Sequence, residues 1–541
     1  MPCDGALVAA DAAVLVGDIA LVGTIFRRDG NVPLPAAVTS TLRAGCHPAR
    51  TLIDDYWGDY VAIGSLCDGS GCGALRAPFG DLPCYWQDCG DYVVLASAVH
   101  LLIAFGTGTP RVDWQSVSRF LAASDLRDGR TCLDAVGEVG SGQTLQVSST
   151  GVRIAHCWSP WRWAARSAQY SQRAEAADAL RCAIDTTIAT RLSPDTPSVL
   201  LLSGGLDSSV VAAALSAGGH AFSALTMVVA DRQGDERAAA RIVADHLGSS
   251  LVERLRDPGQ VDLSRSLAAG LPRPTGAPFR QATFAEGDAL AAAIGATHLV
   301  DGGGGDNMFC SLQSATPVAD ALLIHGPGHV AVATAMSIAR MANVSVLEVL
   351  WRAFKRIGGR RPGYRWPIDR AMLAPDNVLD VVPDHPWLLP SPGTLPGKAA
   401  QVGLLLAACA VVESPDPCRH PRISSPLVAQ PIAEIALRVP SWMWFEDGYN
   451  RAVVRQAYAA RLPAPTTARR SKGTPTGFLA ALIENHSAVL RPFLLDGLLA
   501  GHGVIDRVAV EHALLPGPAR DLGFARLLQL ADAEAWARSW Q

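Results

Sequence analysis

Charge is scarce in this 541-residue chain: only 18% of residues are charged, and 50 acids against 46 bases leave a formal charge of −4. Without a basic surplus the chain lacks the electrostatic footprint of a polyanion binder, so no nucleic-acid partner is expected. Long apolar runs are also missing. Residues 6–26 are interrupted by Asp11 and Asp18, and residues 402–412 are about half of what a bilayer crossing takes, so no membrane insertion is expected. The opening Met1-Pro2-Cys3-Asp4 has no positive flank of the kind that begins a secretion signal. Twelve cysteines over this length fall short of a disulfide scaffold. With 49% hydrophobic residues the chain is not disordered, and its length predicts more than one domain. A cytoplasmic, multidomain α/β protein is the expectation.

Residues 1–160 read as all-β with few helices: 59–66 and 91–98 are rich in Val, Ile and Tyr, and Gly-rich turns such as Asp68-Gly69-Ser70-Gly71 lie between. The pattern changes near Trp158-Ser159-Pro160-Trp161, after which Leu180, Ile184, Ile188 and Leu192 mark one helix face. An alternation follows. Strands are predicted at 198–202, 221–229, 250–255 and 298–300, with helices at 207–215, 235–247 and 284–294. Such spacing means a parallel sheet covered by helices on both faces. Beyond about residue 310 helical signals dominate, broken by a Pro-rich stretch at 383–396 that reads as a surface connection.

The most informative segment is Leu200-Leu201-Leu202-Ser203-Gly204-Gly205-Leu206-Asp207-Ser208-Ser209. A buried strand runs straight into Ser-Gly-Gly and then a helix. The glycines allow close backbone approach, and the free amides of a helix N-terminus face an anion. Hydroxyls of Ser203, Ser208 and Ser209 can donate to phosphate oxygens, whereas Asp207 makes sense only with a divalent cation between it and the phosphate. No Walker-type Gly-Lys-Ser/Thr is present in this loop.

A second acidic site, Asp301-Gly302-Gly303-Gly304-Gly305-Asp306-Asn307, follows another strand. Four glycines in a row would weaken any regular element, so a loop lying tight against a ligand is expected, with Asp306 beside it. In a parallel sheet both loops sit at strand C-terminal ends, where such sheets bind ligands. Asp207 and Asp306 are then placed to share one Mg²⁺. Farther on comes the basic run Arg469-Arg470-Ser471-Lys472-Gly473.

These three sites, in this order, resemble the asparagine-synthetase superfamily over nearly the whole chain. The Ser-Gly-Gly-x-Asp-Ser loop is similar to the pyrophosphate loop of enzymes that split ATP into AMP and pyrophosphate, and Asp235-Glu236 with Ala239 looks like the family's helix-opening Asp-Glu segment. The resemblance implies ATP and Mg²⁺ as cofactors. It implies an ATP site of Leu202, Ser203, Gly204, Gly205, Leu206, Asp207, Ser208, Ser209, Met227, Gly303, Gly304 and Lys472. Asp207 and Asp306 would hold the metal, and Lys472 would stabilise charge on the acyl-adenylate and its tetrahedral successor.

The run Arg76-Ala77-Pro78-Phe79-Gly80-Asp81-Leu82-Pro83-Cys84-Tyr85-Trp86 is similar to one in the family's glutaminase fold. The implied layout is a β-rich Ntn-hydrolase-like sandwich at 1–165, and at 170–541 an ATP-pyrophosphatase-type synthetase domain with a helical C-terminal part. The glutaminase nucleophile is a cysteine at the mature N-terminus. Pro2 stands there and Cys3 lies one residue too far in, so the domain is expected to be kept as structure. Gly303 stands where asparagine synthetases carry Glu, and related synthetases Glu or Tyr, so no general base is named. The glycine loop, Ser425-Pro426-Leu427-Val428-Ala429-Gln430-Pro431 and Arg-Arg-Ser-Lys-Gly together look like lasso-peptide cyclases. Those close a macrolactam between a peptide's N-terminal amine and an internal Asp or Glu. The implied partners are a precursor or core peptide, a leader peptidase and a leader-recognition protein.

Three further features stay outside that reading. Cys67, Cys72, Cys84 and Cys89 are spaced too widely for zinc knuckles and are expected as buried thiols. Residues 352–370 hold seven basic residues against Asp369, a solvated face or the dock of an acidic peptide or partner. Trp442 and Trp444 are candidates for the flank of the substrate cleft.

Overall fold

Short, mostly apolar strands build the N-terminal half of the computed structural model, which describes residues 13–45, 47–66, 72–148, 151–229, 234–359, 363–375, 385–470, 473, 476–515 and 518–541. Its strands are β1 (Ala13–Val16), β2 (Ile19–Arg27), β3 (Tyr56–Gly64), β4 (Gly73–Arg76), β5 (Tyr85–Asp88), β6 (Val93–Ala96), β7 (Gly137–Glu138), β8 (Gln143–Ser148) and β9 (Gly151–His156). They form a six-stranded antiparallel sheet in the order β1-β2-β3-β4-β8-β9 and a smaller one, β6-β5-β7. This part is less purely β than expected. Helices Pro35–Ala44, Pro48–Asp55, Val99–Phe105 and Trp114–Ala122 interrupt it. Two begin with proline at the first turn, where no amide is needed. Asp113 caps the last, accepting from the amides of Gln115 and Ser116.

The second half holds β10 (Ser198–Leu201), β11 (Phe222–Val228), β12 (Leu251–Leu255), β13 (His298–Val300) and β14 (Arg422–Ser424). All pair in parallel, in the order β12-β11-β10-β13-β14. The chain first builds outward from β10 through β11 to β12, then returns to add β13 on the other side. The sheet therefore reverses its winding between β10 and β13, where Leu200 stands opposite Val300. A crevice opens at such a point, outside the strand C-terminal ends. Helices Arg173–Arg191, Leu206–Ala217, Arg237–Leu247 and Arg280–Ile294 accompany it, and the stripe Leu180, Ile184 and Ile188 is fully buried.

The remainder is helical, and two expectations need correction there. Helices Pro396–Glu413 and Thr476–Gly501 are long and apolar enough to cross a membrane by length and composition, although no such run was read from the sequence. The first is 83% buried in the protein and carries Lys398 and Glu413 inside, so its apolar length serves the core. The Pro-rich stretch is likewise no mere surface connection. Its residues 383 and 384 lie outside the described ones, but His385 and Trp387 are buried. Trp387 packs 4.9 Å from Trp158 and 5.8 Å from Phe79, because apolar ring area outweighs the loop character that proline confers.

Buried charge joins the two halves. Arg76 contacts Glu138 at 2.8 Å and Glu413 at 3.2 Å, Arg273 contacts Glu138 at 2.6 Å, and Arg127 lies 3.6 Å from Glu413. Arg76 also donates to the carbonyls of Gly80 and Val139. Arg76 opens the run that resembled the glutaminase segment, so that run is a brace.

His385 supplies a measurable consequence. Burial, with His156 beside it, lowers its pKa from 6.5 to about 3, and its Nδ1 accepts from the Trp387 amide. The unfolded chain binds a proton at this site near pH 6.5 and the folded chain only near pH 3, so stability falls as pH drops through that window. Denaturant unfolding should lose up to about 1.4 kcal/mol per pH unit at this site. His385→Phe should flatten that slope, and an unchanged slope would refute the assignment.

Candidate active site

The two loops predicted to meet do meet. Gly204 has φ +67°, and a Cβ there would lie 2.3 Å from the Ala239 carbonyl carbon, so only glycine lets the loop nest against helix Arg237–Leu247. In the second loop a Cβ on Gly302 would stand 2.6 Å from the Ser208 amide, and one on Gly305 2.6 Å from the Asp207 carboxyl carbon. A Cβ on Gly304 would strike Val428 at 2.3 Å. The glycine run was expected to press on a ligand. Instead Gly302 and Gly305 press on the first loop and Gly304 on Val428.

Asp207 and Asp306 converge on one cation, and that cation is Arg451. A single guanidinium nitrogen lies 2.9 Å from each oxygen of Asp207 and 2.6 Å from Asp306. The sequence reading missed Arg451. The only available signal was its spacing of four from Arg455, a residue that shares the same cavity. Arg455 donates to the carbonyls of Asn450 and Arg469, and burial together with nearby Arg451 lowers its pKa to about 10. Arg451 Nε is buried with no hydrogen-bond partner among the described residues. Crowded cations with unused donors are what a polyanion would satisfy.

These groups surround a cavity of about 250 Å³ lined by Ser203, Gly205, Leu206, Asp207, Ser208, Gly302, Gly303 and by Arg451, Arg455, Arg469 and Arg470. The first turn of helix Leu206–Ala217 forms one wall, adding its dipole to the four guanidiniums. Ser208 Oγ lies 3.2 Å from Ser203 Oγ at the cavity. Ser209, read as a third phosphate hydroxyl, is fully buried and donates back to the Gly205 carbonyl at 2.7 Å. Helix interiors commonly satisfy serine this way.

A larger cavity of about 830 Å³ adjoins it, and Leu201, Ser203 and Gly303 line both. Leu202 and Met227 form part of its wall, with Phe279, Phe284, Glu236, Arg256, Arg280, Asp301, Asp416 and Arg419. Asp125 reaches it from the β-rich half. Asp301 fills the space beside Gly303. Its Oδ1 accepts from Ser425 at 2.6 Å and from the Gly303 amide at 2.9 Å, and its Oδ2 lies 3.2 Å from Arg280. Glu236 accepts from Arg469 at 2.9 Å and from the Gly473 amide at 3.2 Å.

Other expected members lie elsewhere. Trp444 is buried against Phe309 and Trp442 stacks edge-on with His325, and neither lines the two cavities. In the segment beginning at Ser425, residues Leu427 to Ala429 are buried, and Gln430 donates to the Ile53 carbonyl of the β-rich half. That segment braces the glycine loop, through Ser425 on Asp301 and Val428 against Gly304. Cys84 is buried, which raises its thiol pKa to about 12, and Cys67 lies outside the described residues. Lys472, Pro2 and Cys3 also lie outside them, although Arg470 lines the smaller cavity and Gly473 the larger.

Two carboxylates share a cation at the winding reversal of a parallel sheet, next to a guanidinium-lined chamber whose charge and amides suit an anion such as phosphate. Residues 179–340 match the family model described as asparagine synthase. That segment thus has the character of the asparagine-synthetase superfamily, which supports an ATP-dependent, amide-forming ligase in general terms. No curated protein matches the chain. Among solved structures, glutamine phosphoribosylpyrophosphate amidotransferase from B. subtilis, complexed with ADP and GMP, aligns at 10% identity and a TM-score of 0.17. The alignment covers 44% of this chain and 46% of that one, and a likeness so slight carries no argument.

The interlock of the loops is testable. Gly302→Ala forces a Cβ onto the backbone of Asp207 and Ser208. It should cost about 1–3 kcal/mol in unfolding free energy and lower ATP–pyrophosphate exchange at least about tenfold by displacing Asp207. Gly501→Ala, where nothing lies within 4 Å, should change neither.

Proposed function

We propose that the protein is an ATP-dependent peptide macrolactam synthetase of the lasso-peptide cyclase kind. It would adenylate an Asp or Glu side chain of a leader-cleaved core peptide and close an isopeptide bond with the peptide's N-terminal amine. The observation that carries this reading is the pair of joined chambers. One is cationic and sized for pyrophosphate. The other is large, with both aromatic and charged walls, and suits a nucleoside together with a peptide end.

Asp207 and Asp306 already place their oxygens around one cation, so their donor set fits Mg²⁺ completed by phosphate oxygens. When bound, Mg²⁺ neutralises charge on the departing pyrophosphate. Arg451, Arg455, Arg469 and Arg470 then hold the phosphates, and the amides of the Leu206 turn orient them. A carboxylate oxygen of the peptide attacks the α-phosphorus of ATP and pyrophosphate leaves. The amine nitrogen attacks the resulting acyl carbon, loses a proton to phosphate or water, and AMP departs with the carboxylate's former oxygen. Lys472 is assigned to the tetrahedral oxyanion. Holding both ends of one peptide in the larger chamber supplies effective molarity worth about 7–11 kcal/mol at best.

In this reading residues 1–165 are a glutaminase-like unit kept as structure. The attacking amine is then carried by the substrate rather than supplied as ammonia from glutamine. A leader peptidase and a leader-recognition protein would act earlier on the same peptide. A small-molecule amide or lactam synthetase using the same chemistry is the second reading, favoured by the 179–340 match, which names no peptide.

Incubating full-length protein with a leader-cleaved core peptide, ATP and Mg²⁺ should yield a product lighter by one water, with one AMP per ring, by mass spectrometry. Consumption of aspartate and ammonia with no peptide dehydration would overturn the cyclase reading. Asp207→Asn and Asp306→Asn should each lower AMP formation at least about a hundredfold with circular dichroism unchanged. Cys3→Ala should leave synthesis intact, and glutamine hydrolysis dependent on Cys3 would contradict the structural role of the β-rich half.

A further inference from the structure

The helix Val346–Gly358 carries two apolar faces although only one is used. Val349 and Ala353 point into the core. On another face, at helical spacing, Leu347 is 78% exposed, Trp351 61% and Phe354 57%. Serine at 345 caps the helix by accepting from the Glu348 amide, so the element is well made rather than frayed. Exposed large side chains continue around it, with Val344 in the preceding turn and Val332 and Met336 on helix His329–Ala342. Together these two helices are apolar enough for a membrane span, yet they are bent by 115°, so they cannot cross as one rod.

Basic side chains border the apolar face. Arg352 is held by Glu348 at 2.6 Å, and the Lys355 ammonium sits 5.1 Å over the Trp351 ring. Arg356 donates to the Gly363 carbonyl at 2.8 Å. Residues 352–370 contain seven Arg or Lys and a single acid in a chain whose net charge is −4. Arg352, Lys355 and Arg356 put three of these charges on the helix itself, against the single acid Glu348. None of these side chains lines the two cavities of the candidate active site.

From this combination we infer that the 329–358 helix pair is a peripheral docking surface for an anionic lipid bilayer. Protruding Leu, Trp and Phe enter the headgroup–acyl boundary, while neighbouring Arg and Lys keep their charged ends at the phosphate level. Large apolar side chains this exposed, with cationic neighbours on the same helix, match the interfacial placement of an amphipathic helix on a bilayer. The complement of a basic rim is an acidic headgroup, and its attraction falls off within a Debye length.

The test is co-sedimentation of the full chain with vesicles of phosphatidylcholine alone or of phosphatidylcholine mixed with phosphatidylglycerol. Binding to the anionic vesicles should be at least about tenfold tighter than to the neutral ones, and should weaken as salt rises from about 0.1 to about 0.5 M. The triple variant L347S/W351S/F354S should lose binding at least about tenfold while its melting temperature and any ATP–pyrophosphate exchange stay unchanged. If wild type ignores anionic vesicles, or the variant binds as well as wild type, the inference fails. It fails equally if light scattering shows wild type as a dimer and the variant as a monomer with neither bound to lipid, because the face then belongs to a second copy of this chain.

Discussion

Two carboxylates aimed at one point require a cation between them, and the architecture follows from meeting that requirement. Arg451 provides it here, reaching both Asp207 and Asp306 with one nitrogen. The two acids come together because β10 and β13 are neighbours although about a hundred residues separate them in sequence. They come close because Gly302 and Gly305 carry no Cβ, which leaves room for the Ser208 amide and the Asp207 carboxyl group. Like charges held this way repel through a medium less polar than water, so the site favours any cation that can replace the guanidinium. Two acids alone make an incomplete coordination shell, so further oxygens have to arrive with whatever anion fills the smaller chamber.

That chamber and its larger neighbour divide the labour by polarity. Four guanidiniums and a helix N-terminus face the first, while the second mixes rings with ions of both signs. Several of those ions are already committed: Asp301 holds Arg280 and Ser425, and one guanidinium nitrogen of Arg419 lies 2.6 and 2.8 Å from the two oxygens of Asp288. Such pairing fixes the shape of the wall and leaves fewer groups free to bind.

Much of this was legible in the sequence because its signals are local. A strand running into Ser-Gly-Gly and a helix is written within ten consecutive residues, and 298–300 was read to the residue. What escaped depends on partners far along the chain. Arg451 lies 244 residues from Asp207, and no local pattern distinguishes it from other basic residues of the chain. β14 is as short as β13 but stands far outside the strand–helix alternation that marked β13. Trp442 and Trp444 were candidates for the cleft, but Trp444 is buried against Phe309 and Trp442 packs edge-on against His325. His385 and Trp387 sat in a Pro-rich run whose composition spells loop, and only the rings of Phe79, Trp158 and His156 reveal why it folds inward. Ser209 shows the same limit at smaller scale. A hydroxyl one residue past a useful one has turned through a hundred degrees of helix and meets backbone instead.

The ion cluster of Arg76, Arg127, Glu138, Arg273 and Glu413 also bears on how the two halves depend on each other. Its members come from both halves of the chain and are nearly sealed from solvent. Splitting the gene between the halves would strand Glu413 and Arg273 on one fragment, and Arg76, Arg127 and Glu138 on the other, each on a freshly cut apolar face. Desolvated charges without partners are among the least tolerable defects a fold can acquire. Loss of either half would thus strip buried charges of their partners on the other, so the β-rich half matters to the fold of the second whether or not it performs any chemistry of its own.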